Sequence, residues 1–439
     1  MDPDQLGDWR RTSYSREITP QMDGEEVVVL GWVLDIRDLG GIRFVILQDR
    51  EGTVQITIHR ATATRDLVEK AELLQRQYSI GVRGTVKKTK MTPRGVEVIP
   101  AEIRILGIAQ HPLPLDITGR TPAEIDVRLD ARVLDLCRDE GRAIFRVQHV
   151  VLEAMRSFLS KEGFIEMHTP RIIASATEGG AALFPVEYFE REAFLAQSPQ
   201  LYKEQLTLSL EKVFEIGHFF RAEESHTRRH LNEFISVDIE QAFAAGKDVM
   251  VVLERLIQHT CEAVEKGCQR ELGILRHRIK VPEVPFTRFT YDEILKELER
   301  EQIHVPWGED LPTQASRKLG KLHPHFYFIT EWPTESKTFY IEPRADNPKL
   351  CEGFDLMWRW IEIASGGTRV HSKQLLIERL EKQGLSPESF QHHLKAFDYG
   401  MPPHAGWAIG LNRLMMMFTG KKNIREVVLF PRDRYRLTP

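Results

Sequence analysis

The sequence predicts an α+β protein in two parts, a small N-terminal β-barrel and a larger domain whose mainly antiparallel sheet is flanked by helices. Three observations lead there. Short alternating runs crowd residues 25–106, a proline-rich stretch follows at 111–124, and beyond it apolar strand-like runs alternate with helical inserts without regular βαβ crossovers.

The barrel rests on five runs: EVVVLGWVLDIRD (26–38), GIRFVILQD (41–49), TVQITIH (53–59), YSIGVRGTVKK (78–88) and GVEVIPAEIRIL (95–106). Between the third and fourth, ATRDLVEKAELLQRQ (63–77) contains no proline or glycine and reads as a helix. Three strands, a helix and two strands fit a Greek-key barrel of the oligonucleotide-binding type, the OB-fold, although a barrel that serves packing alone gives the same pattern. HPLPLDITGRTPAE (111–124), with three prolines and a glycine, reads as a linker. The expected division is therefore a barrel over 1–108, a hinge over 109–135 and a second domain over 136–439.

The second domain opens with DEGRAIFRVQHVVLEAMRSFLSKEG (139–163), where Ile144, Val147, Val150, Val151, Met155, Phe158 and Leu159 recur at helical spacing and Gly163 ends the run. A strand is expected up to Pro170. Further strands are expected at FEIGHFF (214–220), ISVDIEQAF (235–243), FYFITEW (326–332), FYIEP (339–343) and GFDLMWRWIEIA (353–364), with helices near 247–267 and 373–397.

Composition excludes little but narrows the setting. The 439 residues are 42% hydrophobic and 28% charged, which suits an ordinary cytoplasmic protein with ample core. With 60 Lys and Arg against 64 Asp and Glu, a nucleic acid must be met by local basic patches, not by a basic whole. Cys137, Cys261, Cys268 and Cys351 form no CxxC pair, so free thiols are expected over disulfides or a zinc site. The opening MDPDQLGDWRR is too acidic and polar for a secretory signal, and no apolar run reaches the length of a membrane span.

Four stretches carry chemistry. In FRAEESHTRRHLNEF (220–234) a dense charge run lies between two strands, which lets Arg221, Glu223, Arg229 and His230 gather over a sheet, with Asp238 on the strand that follows. In SATEGGAALFPVEYFEREAFLAQSPQLYKE (175–204), Glu178 precedes two glycines that suit a mobile loop, and Ser198, Gln200 and Lys203 surround a proline-set turn into a helix. WIEIASGGTRVHS (360–372) ends a strand with Glu362 and turns through Ser365 and two glycines to Arg369. In GMPPHAGWAIGLNRLMMMF (400–418), Gly406 and Gly410 are expected to flank a short strand, and Arg413 sits in the first turn of an apolar helix. The helix dipole disfavours a cation there, so a compensating anion is expected. Taken singly, each of these is more often an ordinary solvated charge.

Taken together and in this order, the four stretches resemble the class II aminoacyl-tRNA synthetases. FRAEESHTRRHLNEF is similar to their second signature, GLNRL to the third and GFIEMHTP (163–170) to the first. AQSPQLYK with EIASGGTRVH narrows the resemblance to the aspartyl-tRNA synthetases, and the ending IREVVLFPRDRYRLTP looks like their archaeal type. The likeness covers essentially the whole chain, including GWVLDIRDLGGIRFVILQDREGTVQ (31–55) in the barrel.

The resemblance implies ATP-dependent ligation of L-aspartate to tRNA through an aspartyl-adenylate, by a cytoplasmic homodimer joined through the motif ending at Pro170. Driving a carboxylate onto the α-phosphate brings two anions together, which demands fixed cations more than a base. By resemblance Arg221 and Arg413 are the catalytic residues. ATP falls to Arg221, Glu223, Arg229, His230, Leu231, Glu362, Gly410 and Arg413, and Mg2+ to Glu362 and Ser365. Aspartate falls to Glu178, Ser198, Gln200, Lys203, Arg221, Asp238, Ser365 and Arg369, where Lys203 and Arg369 would face the substrate's side-chain carboxylate and Glu178, Gln200 and Asp238 would hold its ammonium directly or through water. Arg37, Phe44 and Gln55 are implied to read the anticodon.

Leu34 and Pro93 occupy the places where strictly specific relatives tend to carry Trp and Lys; relatives that charge both tRNAs often carry Pro at the second place but usually His at the first, so Leu34 departs from both patterns. A proline has no N–H to donate in telling the last anticodon base of tRNA(Asp) from that of tRNA(Asn), so charging of both is expected. Three rivals are weaker on the residues. An asparaginyl enzyme is disfavoured by Lys203, a synthetase-like enzyme amidating free aspartate by the barrel, and an inactive RNA-binding paralogue by the presence of Arg221, Glu362 and Arg413 together.

Overall fold

The computed structural model describes residues 2–174, 183–224 and 227–439. The chain divides into two compact units, Met1–Arg138 and Asp139–Pro439.

In the first unit β1 (Glu26–Asp38), β2 (Ile42–Gln48), β3 (Thr53–His59), β4 (Ser79–Lys88) and β5 (Val96–Gly107) close a barrel in the order β1-β2-β3-β5-β4, with α1 (Arg65–Leu73) between β3 and β4. Alternation puts Val29, Val33, Val45, Leu47, Ile56, Val82 and Val98 in a dry core. β1 bulges between Val33 and Asp35, so that beyond Leu34 the register brings Asp35 opposite Ile46 and Arg37 opposite Phe44. Asp35, only 6% exposed, is held at 2.7 Å by both Arg76 and Arg120, and these contacts keep its carboxyl below the usual range although burial opposes them.

The second unit is built on eight strands, β6 (Ile165–Glu166), β7 (Lys212–Phe220), β8 (Glu233–Ala242), β9 (Thr287–Thr290), β10 (Phe326–Thr330), β11 (Gly353–Trp358), β12 (Ile361–Thr368) and β13 (His404–Gly410). Their order is β9-β10-β11-β12-β13-β8-β7-β6. Only the outermost pairs, β9 with β10 and β6 with β7, are parallel; the central strands run antiparallel. The helices α2 (Asp139–Lys161) and α4 (Gly246–Gly267) share one core with this sheet, in which Val237, Ile239, Trp407 and Ile409 are fully buried. Period-two alternation then sends Ser236, Asp238 and Glu240 of β8 to the opposite face. There they meet Gly406, Ala408 and Gly410 of β13, whose small size leaves room for other side chains.

Several sequence expectations are corrected. Gly406 lies inside β13 and does not flank it; the position takes glycine because a Cβ there would sit 2.2 Å from the Ile239 carbonyl and from a Glu240 carboxylate oxygen. FYIEP makes only isolated bridges at Ile341 and Pro343, the strand before Pro170 spans two residues, and GFDLMWRWIEIA is a hairpin that turns at Arg359 with a φ of 55°. The stretch 373–397 is two helices, Lys373–Lys382 and α5 (Gln391–Phe397). Helices at Tyr291–Arg300 and Thr313–Leu322 were not expected; they bury Tyr291, Ile294, Leu298, Ala315 and Leu319 in a second core. All four cysteines are free, three of them buried.

Trp407 is among the largest fully buried side chains, and its Nε1 donates to the Val249 carbonyl at 3.0 Å. Trp407→Phe keeps an aromatic ring but removes that donor, so denaturant unfolding should show a loss of about 1–2 kcal/mol. An unchanged midpoint would show that the bond contributes nothing.

Candidate active site

A cavity of about 600 Å³ opens over the face of the sheet opposite α2 and α4. Its floor is a set of paired charges. Lys203, on α3 (Gln200–Leu210), is fully buried, with Nζ 3.1 Å from Asp238, 3.4 Å from Glu240 and 3.3 Å from the Trp407 carbonyl. Arg369, 3% exposed, donates its Nε to the other oxygen of Glu240 at 2.9 Å. Glu240 thus holds both cations from below. The Oδ2 atom of Asp238 is buried without a hydrogen-bond partner among the described residues, and Asp238, Gln200, Ser198, Ser365 and Arg369 all line the cavity.

The wall comes from the segment after β7. Arg221 leaves the strand with its N–H bonded to the Asn232 carbonyl at 2.9 Å, while the Asn232 amide donates to the carbonyls of Arg221 and Glu223 at 2.7 and 3.0 Å. These bonds set where the loop starts. His230 lies 3.9 Å from Glu223, and Arg229 stacks over Trp360 at 4.6 Å and donates to the Thr313 hydroxyl at 3.1 Å. Leu231 packs beneath them, 5% exposed.

Opposite stands Arg413 in the first turn of α6 (Leu411–Thr419), which Gly410 precedes. Its Nη1 reaches the Glu362 carbonyl at 3.3 Å and a Glu362 carboxylate oxygen at 3.5 Å. Asp355 pairs in register with Ser365, and Lys337 donates to the Asp355 Oδ2 at 2.6 Å, leaving Oδ1 buried and, among the described residues, unpartnered.

Electrostatics expose a double strain. Arg229 is lowered from its ordinary range, first by burial and then by Arg413 and Arg317. Glu362 is raised, first by the protein packed round it and then by Asp355, although 47% of its side chain faces the open cavity. His230 is lowered by burial. Arg229 thus sits among other cations and Glu362 beside another carboxylate, with Arg413 in contact with Glu362, an arrangement that a polyphosphate and a hard divalent cation would relieve together.

Behind the floor, Glu204 is fully buried, 3.1 Å from His393 and 3.8 Å from His404. Burial opposes its ionisation, yet the two imidazoles hold it well below the usual carboxylate range, while Glu204 lifts His404 above the ordinary histidine value against the burial that lowers it. The stability this contributes is lost as pH falls through the depressed Glu204 value and as it rises through the raised His404 value.

On the barrel, the register places Arg37, Phe44, Gln55 and Thr57 on one face. Glu97, 7% exposed, accepts from the Thr57 hydroxyl at 2.5 Å and from the Gln55 amide at 3.2 Å. Pro93 lies on the exposed loop between β4 and β5. The next residue, Arg94, ties that loop to the carbonyls of Ser15, Thr53, Arg16 and Ile18 at 2.6–3.0 Å. Glu178 falls outside the described residues.

A family model described as tRNA synthetases class II (D, K and N) matches residues 124–434. The chain belongs to this class II synthetase family. A second model, the OB-fold nucleic acid binding domain, matches residues 27–106 of the synthetase. The synthetase is 51% identical to the Archaeoglobus fulgidus protein named "Aspartate--tRNA(Asp/Asn) ligase", over 97% of this chain and 99% of that one. With the Methanopyrus kandleri protein of the same name the identity is 53%, over 98% and 100%. Among solved structures it is similar to the Pyrococcus horikoshii asparaginyl-tRNA synthetase complexed with asparaginyl-adenylate, at a TM-score of 0.93 and 31% identity over 98% of this chain and 100% of that one. The aspartyl tRNA synthetase from Entamoeba histolytica aligns at 0.87 and 30%, over 98% and 93%. The family expected from the signature motifs is therefore the family found.

Every site residue expected in the catalytic unit of the synthetase, Glu178 aside, lies at this cavity or, for Lys203, directly beneath it. Four participants were missed by sequence reasoning: Glu240, Asp355, Lys337 and Glu204. Glu240 was within reach, since it stands two residues after Asp238 on the same face of a strand. The others are placed by contacts between distant segments, which no local spacing signals.

Proposed function

We propose that this synthetase ligates L-aspartate to tRNA through an aspartyl-adenylate made from ATP, and that it charges both tRNA(Asp) and tRNA(Asn). The observation that carries the amino-acid choice is the pair of cations, Lys203 and Arg369, fixed by one buried carboxylate, Glu240, at the floor of the cavity. A substrate side-chain carboxylate can complete both cations, whereas the amide of asparagine would point its NH2 at positive charge. The curated relatives named for aspartate and for both tRNAs support the reading.

In the first step an α-carboxylate oxygen of aspartate attacks the α-phosphorus of ATP and pyrophosphate leaves. Arg221 bridges the carboxylate and the α-phosphate with its planar fork, and Arg413 and Arg229 take the charge of the far phosphates. Glu223 accepts from the adenine amino group beside His230. In the second step a terminal ribose hydroxyl of tRNA attacks the adenylate carbonyl and AMP departs. Mg2+ suits Glu362 and Asp355, with Ser365 alongside, because the unpartnered Oδ1 of Asp355 is an oxygen ligand waiting for a hard cation. When bound, the ion neutralises phosphate charge. The protein's own arginines still determine where the phosphates lie.

The anticodon loop stacks on Phe44 and is read by Gln55 and Arg37. With its amide N–H occupied by Glu97 and Thr57, Gln55 presents its carbonyl to a base edge. Pro93 has no N–H and the Leu34 side chain no donor that would separate the last bases of the two anticodons. Purified enzyme should therefore aminoacylate tRNA(Asp) and tRNA(Asn) transcripts with aspartate at similar kcat/KM, the second product passing to an amidotransferase. A tRNA(Asn) transcript that stays uncharged beside a well-charged tRNA(Asp) would refute dual charging. The working form is a cytoplasmic homodimer joined through the motif ending at Pro170, in which Ile165 is 48% exposed. Among the described residues no helix is long and apolar enough to cross a membrane.

A further inference from the structure

We propose that Glu204 is a positioning residue that selects the substrate's α-ammonium by fixing which way the Gln200 amide faces; this rests on the aspartate reading above. Gln200 is 4% exposed and lines the cavity, and its Nε2 donates to Glu204 Oε1 at 2.6 Å, one helical turn further along α3. A carboxylate can only accept. The amide therefore has one allowed orientation, with its NH2 committed to Glu204 and its carbonyl left for the cavity. At the same cavity the buried Oδ2 of Asp238 has no hydrogen-bond partner among the described residues. Gln200 and Asp238 line the cavity together with Arg369, and Lys203 lies beneath it; by resemblance the two acceptors hold the substrate ammonium, and with the two cations they recognise a ligand that carries a cationic donor at one end and an anion at the other.

Glu204 keeps that role only while ionised, and its surroundings secure this. His404 commits its Nδ1 to the Pro402 carbonyl at 2.8 Å, so that Nε2 is the atom turned towards Glu204, and His393 approaches the same carboxylate oxygen. A glutamine at position 204 would accept or donate equally well, and the Gln200 amide could then flip and present NH2 to an ammonium.

Succinate, which is aspartate without its ammonium, separates this role from a merely structural one. In aspartate-dependent ATP–pyrophosphate exchange, Glu204→Gln should raise the KM for aspartate about tenfold, the size of one lost hydrogen bond to a charged group, with kcat and the KM for ATP little changed. The inhibition constant of succinate should stay within about twofold, since succinate never used the acceptor pair. Glu204→Asp, which keeps the charge near the histidines but withdraws it from Gln200, should give the same split. In a Gln200→Met background Glu204→Gln should add no further loss. Unchanged aspartate KM in both variants, or parallel loss of aspartate and succinate in both, overturns the proposal. Wild-type enzyme that does not exchange with aspartate at all refutes the substrate reading instead.

Discussion

Lys203→Met should lower aspartate-dependent ATP–pyrophosphate exchange by about a thousandfold, in line with the roughly 3–5 kcal/mol cost of leaving a buried charge without its partner. The reason lies in the accounting of charge at the floor. Lys203 and Arg369 face Asp238 and Glu240, so the free site is balanced, and aspartate brings a side-chain carboxylate that needs both cations. Without Lys203 the carboxylate would arrive beside Asp238 and Glu240 with only Arg369 to meet it. The variant should also melt earlier, because two buried carboxylates lose their ammonium. ATP binding should persist, since Arg229, Arg413 and Trp360 surround the other half of the cavity and none of them bonds to Lys203. The two effects are separated by equilibrium dialysis with ATP alongside exchange with aspartate. Retained exchange in a variant that binds ATP normally would show that the side-chain carboxylate docks elsewhere.

Lys203 also shows how far the sequence could be read. At a helix start, a lysine is ordinarily solvated, and nothing local distinguishes this one. Its burial follows from β13, where Gly406 and Ala408 leave a channel and Trp407 turns its bulk to the helices on the other face. The signature motifs located the site because they carry the charged side chains themselves; they did not reveal what holds those side chains. Glu240 and Glu204 have no substrate role of their own, and each is defined by partners from other segments: Arg369 for the first, His393 and His404 for the second. Similarly, the barrel was legible from alternation and spacing, yet the bulge at Leu34 was not, since one extra residue in β1 leaves the hydrophobic pattern almost unchanged while turning Arg37 to the face of Phe44. FYIEP failed in the other direction: its apolar residues pack as an irregular segment in the second core, where Phe339, Tyr340 and Ile341 are buried without a strand.

Arg221 bears the largest share of the chemistry in this reading, and two substitutions separate its charge from its shape. Arg221→Ala should reduce the rate of adenylate formation by about a thousandfold, in line with loss of a principal electrostatic stabiliser at a reacting centre. Arg221→Lys keeps one positive charge but cannot bind the carboxylate and the α-phosphate with a planar fork, and it should still lose about a hundredfold. The local structure favours a clean test. The backbone of Arg221 is fixed by its own N–H and by the Asn232 amide, so the loop start should survive either change. The loss should fall on kcat far more than on the aspartate or ATP KM, because the bridge tightens as negative charge gathers between the two reactants. Single-turnover formation of aspartyl-adenylate, with both substrates saturating, isolates that step from tRNA charging. A lysine variant within about threefold of wild type would mean that a point charge suffices. In that case the alignment of carboxylate and phosphate would have to come from Arg413, Arg229 and the bound cation acting at the phosphates alone.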